Sequence, residues 1–172
     1  MKALLFSLVL GLLVASQGEA QTDASQLTGR WLTQYTSASN KEKITEGGPF
    51  HAFMRYIELD EENGTILMHF YVKKNGECIE KYVSGTKEGN VYAIDYEGRN
   101  EFQLISGDEN TLLVYNINVD GHGKETELVG LFGKGNNVDS KYKEEFDNTV
   151  REKGIPEENV LNFIDIDNCP EE

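Results

Sequence analysis

The chain has 172 residues, with 30 acidic side chains against 16 Lys and Arg, which gives a formal net charge of −14 at pH 7. Nucleic acids and anionic membranes bind through basic patches, so we expect neither as a partner. With only two cysteines and three scattered histidines, no metal site is expected either.

The first 20 residues have the features of a secretory signal peptide. Lys2 supplies the basic start, an apolar run covers 3–15, and Gly18 and Ala20 occupy the −3 and −1 positions of a cleavage site. The run is shorter than the roughly 20 apolar residues that a membrane span needs, and no later stretch approaches that length. The sequence therefore predicts a cleaved leader, residues 1–20, and a secreted single domain, residues 21–172, without membrane insertion.

Eight segments rich in Val, Ile, Tyr, Phe and Thr follow, separated by hairpin signals such as Asn75-Gly76 and Asp120-Gly121. These dipeptides supply the positive φ angles of tight turns. Successive short hairpins indicate an antiparallel meander, and eight strands suit a closed up-and-down barrel. The only long connection, residues 38–49, is predicted to fold over one end as a lid. The predicted strands cover residues 29–37, 50–60, 65–74, 77–85, 91–96, 100–106, 111–119 and 124–133.

The pattern changes after the eighth strand and predicts one amphipathic helix. Asp139 is the expected N-cap, and Lys153 and Gly154 mark the end. Residues 159–165 then suit a short ninth strand. The helix has a single apolar stripe at i, i+4 and i+8, which consists of Tyr142, Phe146 and Val150.

Cys78 and Cys169 admit one intramolecular disulfide in an oxidising compartment. The bridge closes a loop of about 90 residues, for which the chain-entropy model gives roughly 4–5 kcal/mol. On the residues alone, two free thiols or a metal site remain as alternatives. No second cysteine lies near either one, which disfavours zinc.

Three motifs resemble those of the lipocalin family. Gly29-Arg30-Trp31 matches the Gly-x-Trp signature, residues 116–120 stand at the second motif, and residues 133–135 stand at the third. The resemblance implies that a cation packs on Trp31 and plugs the closed end of the barrel. This chain has Lys134 where most lipocalins have Arg, which is the better stacking partner.

Longer blocks narrow the likeness to mammalian odorant-binding proteins of nasal secretions and to related salivary and dander allergen lipocalins. They are EGGPFHAFMR, FYVKKNGEC, YEGRNEF, NINVDGHGKETELVGLFGKG and EKGIPEENVLNFIDIDNCP, within residues 27–170. Some members carry a Cys-x-x-x-Cys pair, but here Tyr82 stands four residues after Cys78. The resemblance implies that Cys78 pairs with Cys169 and ties the fourth strand to the tail.

The resemblance also implies which face of the seventh strand lies inside. Leu112, Val114 and Asn116 alternate with Leu113, Tyr115 and Ile117, and the second set is apolar throughout. Because the family's helix covers this wall from outside, we expect the apolar set to pack on the helix. Asn116 then faces the interior, beside Asn100 on the neighbouring strand, as a polar anchor for a ligand.

Side-chain alternation predicts the remaining walls on the third, fifth and sixth strands, and the resemblance places those on the second and eighth. Alternation alone does not distinguish a solid core from a cavity, and it favours neither. The resemblance favours a cavity. Lys81 also falls on the inner side of its strand, either as a partner for an acidic ligand or reaching the barrel rim. The expected ligand-binding residues are Phe50, Ala52, Met54, Met68, Phe70, Ile94, Tyr96, Asn100, Phe102, Val114, Asn116 and Phe132.

The leading hypothesis is a secreted carrier for small hydrophobic molecules such as odorants or pheromones, acting as a monomer or weak homodimer without a cofactor. One alternative is a surface-acting protease inhibitor or receptor ligand. The other is an isomerase, which in lipocalins uses a thiol in the pocket. Because both cysteines are expected to form the disulfide, no thiol is available, and we expect no catalytic residue and no enzyme. Asn63-Gly64-Thr65 is an N-glycosylation sequon in a predicted turn.

Overall fold

The computed structural model describes residues 27–172, so the predicted signal peptide lies outside the described residues. Within this range, ten strands form one sheet in the order β1-β3-β4-β5-β6-β7-β8-β9-β2-β10. The elements are β1 (Gly29–Arg30), β2 (Leu32–Ala38), β3 (Ala52–Asp60), β4 (Thr65–Lys74), β5 (Glu77–Glu88), β6 (Val91–Asp95), β7 (Arg99–Gly107), β8 (Thr111–Val119), β9 (Glu125–Gly133), α1 (Ser140–Glu152) and β10 (Val160–Asn162).

The sheet closes because β1 and β2 are two halves of one strand, interrupted at Trp31. β1 pairs with β3 at one end of the sheet, and β2 pairs with β9 at the other. The Trp31 amide continues the first ladder by donating to the Arg55 carbonyl at 3.0 Å. The predicted eight-stranded up-and-down barrel with one helix and a short extra strand is therefore confirmed.

Strand limits differ from the predictions by more than one residue in three places. β5 continues three residues beyond its predicted end, to Glu88. β3 begins at Ala52, so Phe50 lies in the preceding loop and not on a strand as predicted. The predicted ninth strand, residues 159–165, is paired only from Val160 to Asn162, because a 3-10 turn at Ile164–Ile166 follows it.

Helix α1 packs on the outer wall of the barrel, as predicted. The Asp139 side chain caps its N-terminus by accepting a hydrogen bond from the Lys141 amide at 2.9 Å. Gly154, with a φ of +70°, follows its C-terminus. Its stripe joins outward residues of β8 and β9 in one apolar cluster. The buried members are Leu113, Tyr115, Val129, Leu131, Tyr142, Phe146, Val150 and Ile155.

The C-terminal tail is fastened to the opposite wall by a disulfide and an ion pair. Cys78 on β5 is bonded to Cys169, which confirms the expected pairing. Arg55 on β3, almost fully buried, binds both carboxylate oxygens of Asp167 at 2.7 and 2.8 Å. Its Nε donates to the Pro170 carbonyl at 2.6 Å, so the tail replaces water around the guanidinium.

In residues 27–172, no helix combines the length and the apolar character that a membrane crossing requires.

The first prediction concerns Phe146, which is fully buried between α1 and the barrel. Phe146→Ala should lower the free energy of unfolding by about 3–5 kcal/mol, because it removes buried apolar surface and leaves a void. Chemical denaturation measures this loss. Glu144→Ala, on the exposed side of the same helix, is the matched control and should change stability by less than about 0.5 kcal/mol. Equal effects from the two variants would contradict the packing described.

Candidate functional site

A cavity of about 110 Å³ lies inside the barrel. The structure brings all twelve residues of the expected ligand-binding set to its wall, although they come from six strands, the β2–β3 loop and the β6–β7 turn. Five further residues complete the lining: Thr33, Thr36, Val83, Leu128 and Gly130.

For three of these five residues, side-chain alternation along the strand indicates an inward position. Leu128 and Gly130 alternate with Phe132 on β9, and Val83 falls on the inner side of β5 with Met68 as its cross-strand neighbour. Alternation gives no such indication for Thr33 and Thr36. The two residues are three apart, so a regular strand would place them on opposite faces, yet both face the cavity. The β2–β9 register shifts between Thr33 and Tyr35, and such a bulge re-aims the side chains that follow it.

The cavity wall is apolar over most of its area, and aromatic rings dominate it near the lid. Tyr96 lies edge-on to Phe70 at 5.4 Å and to Phe50 at 5.6 Å between ring centroids. Met54 and Met68 lie on the neighbouring strands β3 and β4. Thioether side chains adapt to ligands of different shape, so this wall is suited to apolar molecules of several kinds.

Asn100 and Asn116 are the main polar residues of the wall, and Asn118 joins them in a hydrogen-bonded trio. Asn100 donates from Nδ2 to the Ile94 carbonyl at 3.1 Å and to the Tyr96 carbonyl at 2.8 Å. Asn116 and Asn118 each donate from Nδ2 to Asn100 Oδ1 at 3.0 Å. The expected proximity of Asn116 and Asn100 is thus a direct hydrogen bond.

The two backbone carbonyls settle how all three amides are oriented. A carbonyl only accepts, so Asn100 must turn Nδ2 toward Ile94 and Tyr96 and its Oδ1 toward the other two amides. Asn116 and Asn118 must then present Nδ2 to Asn100 and direct Oδ1 away from it. Among the described residues, neither of these two buried Oδ1 atoms has a hydrogen-bond donor. Of the two side chains, Asn116 lines the cavity, which leaves its amide oxygen as an unpaired acceptor.

The loop between β2 and β3, residues 39–51, closes one end of the barrel and is here called the lid. Phe50 contributes to the cavity wall, and Tyr96 Oη donates to the Pro49 carbonyl at 2.6 Å. Lys43 forms an ion pair with Asp120 in the β8–β9 turn at 2.9 Å. A second, more exposed pair joins Glu42 to Lys124 in the same turn at 2.6 Å.

The ionisation of these groups suits a closed lid at neutral pH. Burial, with a smaller effect of Glu97, raises the pKa of Tyr96, so its hydroxyl remains a donor to Pro49. The hydrogen bond from Lys43 lowers the pKa of Asp120 well below its usual range, and the backbone amides of Lys124 and His122 add to this effect. The Asp120 carboxylate is therefore charged and paired at neutral pH.

The opposite end is closed around Trp31, which is fully buried and donates from Nε1 to the Leu27 carbonyl at 2.7 Å. Lys134 Nζ lies 3.7 Å from the centre of the Trp31 ring and donates to the Arg30 carbonyl at 2.6 Å. Burial lowers the pKa of Lys134. Gly29 has a φ of +152°, and a Cβ there would stand 3.3 Å from Lys134 Nζ, so glycine fits this crossing best.

Two other residues singled out from the sequence lie away from the cavity wall. Lys81 is paired with Phe70 in the β4–β5 register, so its side chain lies on the inner face of β5. It is half-buried and is not among the residues that line the cavity. Asn63 is exposed in the β3–β4 turn and donates to the Asp60 carboxylate at 2.7 Å.

An eight-stranded up-and-down barrel around an apolar cavity, with one helix on its outer wall, is the architecture of lipocalins. The sequence matches the lipocalin / cytosolic fatty-acid binding protein family over residues 28–167, and the chain belongs to this family.

Individual relatives agree with the narrower resemblance. An odorant-binding protein of Bos taurus is 40% identical over 157 residues, which is 91% of this chain and 98% of that one. The crystal structure of a dog lipocalin allergen superposes with a TM-score of 0.82 at 40% identity, covering 85% of this chain and 99% of that one. A complex of bovine odorant-binding protein with undecanal gives a TM-score of 0.64 at 41% identity, covering 88% and 97%. The likeness to odorant-binding and allergen lipocalins is therefore confirmed.

The second prediction concerns the Lys43–Asp120 pair. Asp120→Asn should make the lid amides exchange several-fold faster with solvent, because the cation no longer holds the lid while the amide oxygen can still accept from the turn. Hydrogen exchange of the lid measures this effect, with the barrel strands as internal reference. Asp147→Asn, which breaks the ion pair with Lys143 within α1 on the outer wall, should leave lid exchange unchanged.

The acid dependence follows from the sign of the Asp120 pKa shift. The folded pKa lies below the ordinary aspartate value of about 3.9, so the pair is complete above that value and is lost as the pH falls further. The ratio of lid to barrel exchange in the wild type should therefore be the same at pH 5 as at pH 7. A lid that loosens between these two values would contradict the assignment.

Proposed function

We propose that this protein is a secreted carrier that binds one small hydrophobic molecule reversibly in the barrel cavity. The observation that carries the proposal is the apolar cavity inside the barrel, beneath a lid held by ion pairs and hydrogen bonds. Transfer of an apolar ligand from water into such a cavity is favourable at about 25 cal/mol per Å² of apolar surface buried. The relative solved with undecanal supports a ligand of this class.

Selectivity is proposed to reside in Asn116. Its unpaired Oδ1 is buried in an apolar wall, and a buried acceptor without a donor costs about 1–3 kcal/mol. A ligand that brings an O–H or N–H group relieves this cost, whereas a hydrocarbon leaves it in place. The carrier should therefore prefer apolar molecules with one hydrogen-bond donor, such as medium-chain alcohols or phenols.

The isomerase alternative would require a thiol in the cavity. Cys78 and Cys169 are bonded to each other on the outer wall and are the only cysteines of the chain. A carrier role, without chemistry on the ligand, therefore accounts best for the cavity.

Secretion is part of the proposal. The amino-terminal 20 residues predict a leader, and the disulfide is of the kind that forms in oxidising compartments. The relatives include a lacrimal gland protein of Mesocricetus auratus, 35% identical over 169 residues, which is 98% of each chain. The expected quaternary structure remains a monomer or a weak homodimer.

The third prediction tests the cavity as the binding site. Val114→Trp should fill the cavity and weaken binding of a hydrophobic fluorescent probe by more than about tenfold, or about 1.4 kcal/mol. The control is Val119→Trp, the same substitution at an exposed outward position of the same strand. Fluorescence titration of both folded variants measures the difference. If Val114→Trp bound the probe as tightly as the wild type does, the cavity would not be the binding site.

The fourth prediction tests the acceptor. In competition with the probe, wild type should bind 1-octanol more tightly than octanal or octane, because only the alcohol brings a hydrogen-bond donor to Asn116 Oδ1. Asn116→Leu should reduce the advantage of octanol over octane by about two- to tenfold, the range of one net hydrogen bond of 0.5–1.5 kcal/mol. Asn118 still donates to Asn100 Oδ1 in this variant, so the neighbouring amides keep their positions. Unchanged relative affinities would remove Asn116 from the site.

A further inference from the structure

We propose that Asn63 carries an N-linked oligosaccharide, attached at the end of the barrel opposite the lid. Asn63-Gly64-Thr65 is the only Asn-x-Ser/Thr sequence in the chain, and glycine at the middle position is permitted because only proline blocks such a sequon. The inference rests on passage through the secretory pathway and is independent of what the cavity binds.

The modification is a substitution at the anomeric carbon of a polyprenyl-diphosphate-linked oligosaccharide. The Asn63 side-chain nitrogen forms a bond to that carbon, the bond from the carbon to the diphosphate oxygen breaks, and the lipid diphosphate leaves with the bonding electrons. One proton is lost from the amide nitrogen. No oxidant or reductant takes part.

The turn has room for the product. Asn63 is exposed, as are Glu61 and Glu62 beside it. At Gly64, which has a φ of +62°, an added Cβ would come no closer than 3.5 Å to another residue, at the Lys87 side chain. Within residues 27–172, the β3–β4 turn therefore projects from the barrel without a neighbour packed over its tip.

The contact that Asn63 makes in the folded turn is compatible with the sugar. Its Nδ2 donates to Asp60 Oδ2 at 2.7 Å, and its backbone amide donates to Asp60 Oδ1 at 3.1 Å. A primary amide has two protons, and the N-linked product retains one of them, which can still donate to Asp60. The backbone bond does not involve the modified atom at all.

The position keeps the sugar away from ligand access. Strand β3 runs from Ala52, at the cavity wall beside the lid, to Asp60, at the start of this turn. Eight residue steps along a strand span roughly 26 Å at about 3.3 Å per residue. Leu59, beside the turn, is hydrogen-bonded to Thr28 at the Trp31 end of the barrel. A glycan on Asn63 therefore extends from the closed end and leaves the lid uncovered.

The test is the mass of the full-length chain expressed and secreted by mammalian cells. Wild type should show a heterogeneous mass above that of the polypeptide, and peptide-N-glycosidase should reduce it to one species with aspartate at position 63 in peptide mapping. Asn63→Gln and Thr65→Ala should abolish the added mass, whereas Thr65→Ser should retain it. Asn110→Gln, at an exposed asparagine of the β7–β8 turn outside any sequon, should leave it unchanged.

Two results would overturn the inference. One is a wild-type chain secreted at the bare polypeptide mass by cells that glycosylate a co-expressed reference protein. The other is added mass that persists in Asn63→Gln. Peptide mapping of the wild type alone locates the site, so poor secretion of a variant does not leave the question open.

Discussion

The packing of α1 against the outside of β8 is the contact on which the character of the binding site depends. Phe146 and its neighbours bury the outward side chains of this strand. Because side chains alternate along a strand, covering one face from outside sends the other face into the barrel. That second face carries Asn116 and Asn118. An exposed outer wall would favour the reverse orientation, with the amides in water and the apolar residues inside.

Bringing amides into an apolar interior has a free-energy cost, and the fold offsets most of it with main-chain carbonyls. β6 ends at Asp95, and the turn to β7 directs the Tyr96 carbonyl at Asn100. The Glu97 carbonyl accepts from Asn118 at 3.2 Å. Every amide nitrogen of the trio thereby has at least one acceptor, whereas the Oδ1 atoms of Asn116 and Asn118 have no donor among the described residues. The mostly apolar cavity wall therefore includes one unpaired acceptor, on Asn116.

The two ends of the barrel are held by different interactions. Trp31 plugs the closed end with its ring buried and Lys134 against its face. The lid is held by two ion pairs to the β8–β9 turn, by hydrogen bonds that include Tyr96 Oη to the Pro49 carbonyl and the Gly47 amide to the Lys73 carbonyl, and by the fully buried side chain of Ile44. The partly exposed ion pairs contribute little individually and are screened by salt, so they are the salt-sensitive part of this end.

The sequence by itself determined what depends on near neighbours along the chain. Positive φ angles at Gly64 and Gly76 mark hairpin turns, Asp139 caps the helix, and alternation on the strands separates one face from the other. The order of the motifs then identified the family and the pairing of the cysteines. These features together indicate twelve of the seventeen residues that line the cavity.

Only the tertiary structure decided what depends on residues far apart. The bulge near Thr33 arises from pairing with β9, and Phe50 reaches the cavity from the lid rather than from a strand. Whether an amide of Asn116 meets the cavity as donor or acceptor depends on two carbonyls that belong to another hairpin. Local sequence carries no record of these partners, because the hydrogen bonds form only once β6, β7 and β8 have paired in register.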